Sequence, residues 1–303
     1  MSATPAAPPP GGPAGPGLRP VAGLLTNAMI WGLSWWPLRQ LQAAGLHPLW
    51  STVIVFALAM LAIGLARREA WRELATRPAL WLILLAAGTT NACFNWGVTA
   101  GDVVRVILLF YLMPLWAVLL ARWLLHEPIT PGALLRVAMA LGGAMIVLWP
   151  AEGVPLGAPQ LADALGLLGG LSFAVNNILL RREAQRTDAR RSSEGGRALA
   201  MFSGGCVVSL ALAQLMQVPA PPPLAPGWLL GAVGLGACFL LGNLALQYGA
   251  SRLAANVTAV IMLTEVLWAS GSALLLGAGT LTPTLALGGA LIVGAAALAA
   301  LRP

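Results

Sequence analysis

Ten apolar runs of about bilayer-spanning length follow one another along this chain and leave room for little else. They lie near 21–40, 49–66, 79–99, 103–124 and 132–149, then near 161–180, 198–217, 227–247, 253–276 and 284–301, punctuated by Arg, Pro and Gly. A helix needs about 20 apolar residues to cross the hydrocarbon core, so ten spans take up about 200 residues of a chain of 303. Only 9% of the residues are charged and 58% are hydrophobic, against about a quarter charged in a soluble domain. A soluble globular protein is excluded, and the expected fold is an all-α integral membrane protein of ten transmembrane helices.

Residues 1–20 read as a flexible Pro/Ala/Gly-rich tail, because positions 2–17 carry no charge and too little apolar surface to bury. The first apolar run follows without a convincing cleaved-signal pattern and is kept as a helix. Cys93, Cys206 and Cys238 all fall inside apolar runs and lack zinc-site spacing, so no disulfide, metal or cofactor is expected. The formal charge is +7, and all 17 basic residues are Arg. With the N-terminus inside, 15 of the 17 flank cytoplasmic ends and only Arg39 and Arg105 lie outside. Cytoplasmic loops hold the excess of basic residues, so both termini are expected in the cytoplasm. The charge is then a topology signal, and nucleic acid is not an expected partner. The stretch from Arg181 to Arg197, interspersed with Glu183, Asp188 and Glu194, reads as a solvated anchoring loop.

The two halves echo each other in order. Gly32-Leu33-Ser34-Trp35 matches Gly170-Leu171-Ser172-Phe173, Ala92-Cys93-Phe94 matches Ala237-Cys238-Phe239, and Thr130-Pro131 matches Thr282-Pro283. Thr then Pro also suits an N-cap followed by the first helical position, which alone accounts for the last pair. The division is a first five-helix repeat over 21–150 and a second over 151–303. Five is odd, so the second repeat enters the membrane inverted, the arrangement used for alternating access around a midplane site.

The segment from Phe110-Tyr111-Leu112-Met113-Pro114 through Arg122-Trp123-Leu124-Leu125-His126-Glu127-Pro128-Ile129-Thr130 to Gly142-Gly143 resembles the repeat signature of the drug/metabolite transporter superfamily, EamA type. That signature has a Pro in the fourth span, a Glu after it and a Gly-rich fifth span. A degenerate copy runs from Leu263-Thr264-Glu265 through Gly279-Thr280-Leu281-Thr282 to Gly288-Gly289. Glu265 then stands where the first repeat has Pro114, and Gly279 where it has Glu127. The resemblance covers 21–301 and implies a carrier of the bacterial inner membrane, often an exporter of amino acids or related metabolites.

Glu265 is the foremost site candidate, because it falls midway through the ninth run, where an ionisable group must face a cavity, find a partner or be protonated. It would exchange a proton with the gradient or pair with a substrate ammonium; the alternative is a structural carboxyl bonded to Asn243. Pro114 lacks the N–H that would bond the Phe110 carbonyl, so a kink and a freed carbonyl are expected, either for substrate or for packing alone. Tyr111 would donate to a substrate carboxylate or to a neighbouring helix. Asn91, Asn95, Asn176, Asn177, Asn243, Gln247 and Asn256 are intramembrane amides, each as well suited to interhelical glue as to a ligand. Together they point to a polar cavity between spans one, three, four, six, eight and nine. Trp31 and Trp35 share a face and would stack on a planar or cationic substrate, or simply pack. Glu127 at the cytoplasmic end of the fourth span is expected to act as a gate or loop contact with Arg122.

These features favour a secondary transporter of small polar or amphipathic metabolites, with the lipid bilayer as its other partner and proton coupling through Glu265. A membrane-embedded enzyme is disfavoured: His47 and His126 both lie near span ends, and no nucleophile sits beside a base. A non-transport scaffold has no soluble domain through which to signal, and no phosphate-binding Gly-rich loop supports a nucleotide-driven pump. Low charge and many small residues suit either a monomer or a homodimer.

Overall fold

The computed structural model describes residues 18–100, 103–149, 160–188, 191–277 and 281–301, with the side chains of 98–100, 103 and 104 excepted. All regular structure among the described residues is helical. The helices are α1 (Leu18–Leu33), α2 (Trp35–Ala43), α3 (Pro48–Ala66), α4 (Glu69–Thr76), α5 (Pro78–Ala100), α6 (Val103–Phe110), α7 (Met113–Leu124) and α8 (Pro131–Leu148). They continue as α9 (Leu161–Gln185), α10 (Glu194–Leu215), α11 (Pro226–Ala250), α12 (Ala255–Met262), α13 (Glu265–Leu275) and α14 (Pro283–Leu301). Because α1 begins at Leu18, the last three residues assigned to the tail are helical. The remaining tail, residues 1–17, lies outside the described residues.

Among the described residues, nine helical stretches are long and apolar enough to cross a membrane, counting α6 with α7 and α12 with α13 as one stretch each. The remaining apolar run, 21–40, falls on α1 and α2. The short α4 was not anticipated; it buries Ala70 and Leu74 and packs against α10 and α5.

Pro marks the helix starts. It opens α3, α5, α8, α11 and α14, where a missing N–H costs nothing because the first turn has no intrahelical acceptor for it. Capping completes the signal at α8, where Thr130 Oγ1 accepts from Ala133 N–H at 3.1 Å, and before α14, where Thr282 Oγ1 accepts from Leu285 N–H at 3.1 Å. The repeated Thr-Pro pair therefore works as cap and first residue.

Two apolar runs are broken midway, and a third, 21–40, bends nearer its end. In the α6–α7 run the chain tightens at Tyr111 and Leu112, with Leu112 N–H bonding the Leu109 carbonyl three residues back, just before Pro114 enters the first turn of α7. The α12–α13 run breaks at Leu263 and Thr264 without a proline. There Leu263 and Thr264 also bond three residues back, and the Thr264 hydroxyl donates to the Ile261 carbonyl at 2.7 Å, a back-bond that bends helices. Ser34 does the same between α1 and α2, its hydroxyl on the Trp31 carbonyl at 2.7 Å. Such short tight turns inside a span mark hinges. Counted from the breaks, Glu265 corresponds to Met113, one residue before the Pro114 position that the sequence alignment assigned to it.

The helices enclose one another in cross-packed pairs: α5 on α9 and α10, α1 on α11, α3 on α10, and α8 on α14. The α6–α7 run packs along α9, and the α12–α13 run along α1. At the α8–α14 crossing the backbones approach through glycine. A Cβ on Gly143 would stand 2.6 Å from the Gly288 carbonyl oxygen, and one on Gly288 would stand 2.5 Å from that of Gly143. Small residues at such crossings let helices pack closely in lipid. Gly143→Val is expected to cost about 1–3 kcal/mol through overpacking and to lower the melting temperature in detergent by several degrees. Gly142→Ala, where a Cβ meets nothing within 4 Å, should leave it unchanged.

Candidate substrate site

The breaks surround a central cavity of about 130 Å³, comparable with the engineered apolar cavity of about 150 Å³ that admits benzene. Its walls come from α1, α3, α5, α6, α7, α9, α10, α11, α12 and α13. The expected set of spans is thus joined by the second and seventh runs, which contribute Phe56, Met201 and Phe202.

Glu265 lines this cavity as the first residue of α13. Its partner is Tyr111, whose hydroxyl donates to Glu265 Oε1 at 2.5 Å; Asn243, the partner considered from sequence, is engaged elsewhere. The contact joins one broken run to the other across the core. Tyr111 is buried, so its hydroxyl serves the neighbouring helix and not a substrate carboxylate. Phe110 also lines the cavity. Its carbonyl, the one Pro114 leaves free, abuts Gly170 of α9, where a Cβ would strike it. Pro114 itself is buried outside the cavity wall. A Cβ on Gly32 of α1 would likewise stand 2.5 Å from the Glu265 carbonyl oxygen. The repeated Gly-Leu-Ser-aromatic motif therefore supplies, in each copy, the glycine on which a broken run rests.

The remaining candidates divide by helical turn. Asn91 and Trp31 line the cavity, whereas Asn95 and Trp35, four residues further on, do not. Asn95 Nδ2 donates to Thr52 Oγ1 of α3 at 2.8 Å, and Trp35 Nε1 to Ser272 Oγ of α13 at 2.9 Å. Both act as interhelical contacts. Asn176 lines the cavity; its neighbour Asn177 is buried away from it with neither amide atom hydrogen-bonded.

Asn243 lines the cavity at the end of a buried hydrogen-bonded chain. Arg197 Nε donates to Gln247 Oε1 at 3.1 Å, Gln247 Nε2 to Asn243 Oδ1 at 2.8 Å, and Asn243 Nδ2 to Met201 Sδ at 3.2 Å. Arg197 is only 2% exposed, so the residue assigned to an anchoring loop is instead a buried support for the cavity wall.

Aromatic rings form most of the apolar surface. Trp31 stacks on Phe239 with centroids 4.4 Å apart, Phe56 meets Phe202 edge-on at 5.2 Å, and Phe94 meets Phe110 edge-on at 5.1 Å. Beyond the cavity, Glu127 pairs with Arg181 of α9 at 2.8 Å, not with Arg122, which is exposed. Arg181 also donates to the Leu253 carbonyl before α12. At the opposite end Arg105 pairs with Asp163 at 2.7 Å. Among the described residues no group of His, Cys, Asp and Glu could hold a metal ion.

A multi-pass helical membrane protein with broken spans around an internal polar and aromatic cavity is the class that this geometry defines. Residues 18–149 match the model of the EamA-like transporter family, a domain of the drug/metabolite transporter superfamily. A solved crystal structure shares the fold at 20% identity, with a TM-score of 0.75, covering 92% of this chain and 96% of the other. No curated protein sequence matches the chain.

Proposed function

We propose that the protein is a secondary transporter, an exporter of small polar or amphipathic metabolites, that works by alternating access around the central cavity. The observation that carries the reading is Glu265, a carboxyl on the wall of an internal cavity, at a helix break, facing Tyr111 of the other broken run. An enclosed carboxyl at a hinge can bind a cation or a proton from either side as the surrounding helices rock.

The rocking units are two inverted five-helix repeats within a ten-span body. Exchanging the halves maps the contacts of the fold onto one another, which supports this reading. The α5–α9 pair corresponds to α1–α11, and α6–α7 on α9 corresponds to α12–α13 on α1, while α3–α10 and α8–α14 map onto themselves. The matched glycines Gly170 and Gly32 each abut a carbonyl at the break of a run, that of Phe110 and that of Glu265, positions one helical turn apart in the repeat register. Two copies of one unit in opposite orientations interconvert between outward- and inward-facing forms by exchanging roles. Both termini lie on the cytoplasmic side, a reading that the Arg distribution supports, and the membrane is a bacterial inner membrane, as the family resemblance implies. Glu265 couples movement to protons, and the protein acts as a monomer or homodimer.

Counterflow in proteoliposomes tests the transport reading. Vesicles preloaded with amino acids, nucleobases, polyamines or cationic drugs are challenged with trace label of the same compound. Exchange of at least one class well above empty vesicles is expected. Silence across the panel from monodisperse, folded protein would count against a carrier.

A further inference from the structure

The chemistry of the cavity wall specifies what would fill it, an inference that rests on the transporter reading above. We propose that the substrate is an organic ammonium ion with a compact aromatic or aliphatic body, in preference to an amino acid or an organic anion. Three observations converge.

The charge on the wall has one sign. Glu265 is the sole ionisable acid among the described lining residues, and no Arg, Lys or His accompanies it. A substrate carboxylate brought into this space would meet no cation and would face a carboxylate in low dielectric. A zwitterion would have to bury its negative end in the same place.

Two of the lining amides carry acceptors without a partner. Asn27 and Asn176 line the cavity at 1% and 2% exposure, and the Oδ1 atom of each has no hydrogen-bond partner. The orientation of Asn27 is set by another lining residue, because its Nδ2 donates to Met262 Sδ at 3.4 Å. The donors of Thr90 and Asn91 are spent on the Ala86 and Ala87 carbonyls at 2.8 and 2.9 Å, and Asn243 Nδ2 is spent on Met201. Two orphaned acceptors and a carboxylate are the complement of an ammonium group, which carries donors and no acceptor. A buried acceptor left without a partner is costly, so the ligand that satisfies it is strongly selected.

The apolar surface suits the rest of such a molecule. The stacked Trp31–Phe239 pair and the edge-on Phe94–Phe110 pair present ring faces and edges to the space. Ring faces attract a cation as well as an apolar body.

Three probes that share one body and differ only in charge test this proposal: 2-phenylethylammonium, phenylalanine and 3-phenylpropionate. Binding of the labelled probes to detergent-purified protein is measured by scintillation proximity, and exchange by counterflow. The amine should bind and exchange, and the anion should do neither. Glu265→Gln should weaken amine binding at least about tenfold, the lower range for losing a charge-assisted hydrogen bond. Should that variant fold poorly, Asn27→Leu carries the same test, with a several-fold loss expected.

Zwitterion or anion binding as tight as the amine, or amine binding unaffected by the variants, overturns the substrate class and leaves the carrier reading standing. Glu265-dependent amine binding with no counterflow of any probe supports the site and overturns the carrier reading. Absence of binding by all three to folded wild type overturns the substrate class.

Discussion

Glu265→Gln is expected to lower exchange at least about a hundredfold, and to leave the residual rate independent of pH. The loss corresponds to about 2.7 kcal/mol, within the cost of truncating one member of a hydrogen-bonded charge pair in a desolvated site. The pH effect follows from competition. A proton and a substrate cation cannot both occupy one carboxylate, so acidification reduces cation binding to the wild type, and by linkage the bound cation expels the proton. The amide of Gln holds neither. The pH signal belongs to Glu265, because the groups facing it supply almost no other titration. Tyr111 reaches it from the α6–α7 break, and a phenol ordinarily titrates near 10. The surrounding helices α1, α5, α9 and α11 contribute amides, a hydroxyl and rings to the cavity. Tyr111→Phe removes one charge-assisted bond from Oε1, so exchange should fall about tenfold while its pH dependence persists. Initial counterflow rates from about pH 5.5 to 8.5, on either side of neutrality, provide the check. A Gln variant that retained a pH-dependent rate would remove Glu265 from the mechanism.

The membrane spans were legible because a bilayer demands a run of about 20 apolar residues, and length alone exposes it. The break in α12–α13 was not. Leu263 and Thr264 look like any apolar-span pair, and the bend comes from three-residue-back hydrogen bonds and a hydroxyl back-bond, whereas Pro114 announces the other break. Helical periodicity put Trp31 with Trp35 and Asn91 with Asn95 on common faces. The cavity wall ends at Trp31 on α1 and at Phe94 on α5, so the first of each pair lines it and the second bonds a neighbour. The Tyr111–Glu265 contact joins residues 154 apart, a distance across which one sequence carries no pairing signal. Arg181 and Arg197 were read by counting charge at span ends, a rule blind to burial; one is paired and the other sealed in the protein. Phe56 and Phe202 carried no signal, since an aromatic ring facing a cavity is spelled like one facing the core.

Arg181 is expected to act as a latch at the Arg-rich end of the protein, the end assigned to the cytoplasm. Its guanidinium ties three elements together: α9, which carries it, Glu127 after α7, and the Leu253 carbonyl before α12. Both charged side chains are mostly shielded, at 16% and 21% exposure, so the pair is stronger than a surface ion pair. These ties join the ends of both broken runs to α9, so helices that must separate to open the cavity at this end are held by one side chain. Arg181→Met removes the ties from this state alone. At the low end for such a truncation, about 2 kcal/mol, the equilibrium should move about thirtyfold toward the form open at this end. A reporter cysteine at Leu246, on the cavity wall, reads the change once Cys93, Cys206 and Cys238 are replaced. Labelling by a membrane-impermeant thiol reagent applied from the Arg-rich side should accelerate at least about tenfold in Arg181→Met, allowing for partial relaxation of the site. Glu127→Gln should accelerate it comparably, and combining the two should add little, because each removes the same tie. The exposed neighbour Arg182 provides the control, and Arg182→Met should label at the wild-type rate. Equal labelling in wild type, Arg181→Met and Glu127→Gln would show that the tie does not hold this end closed.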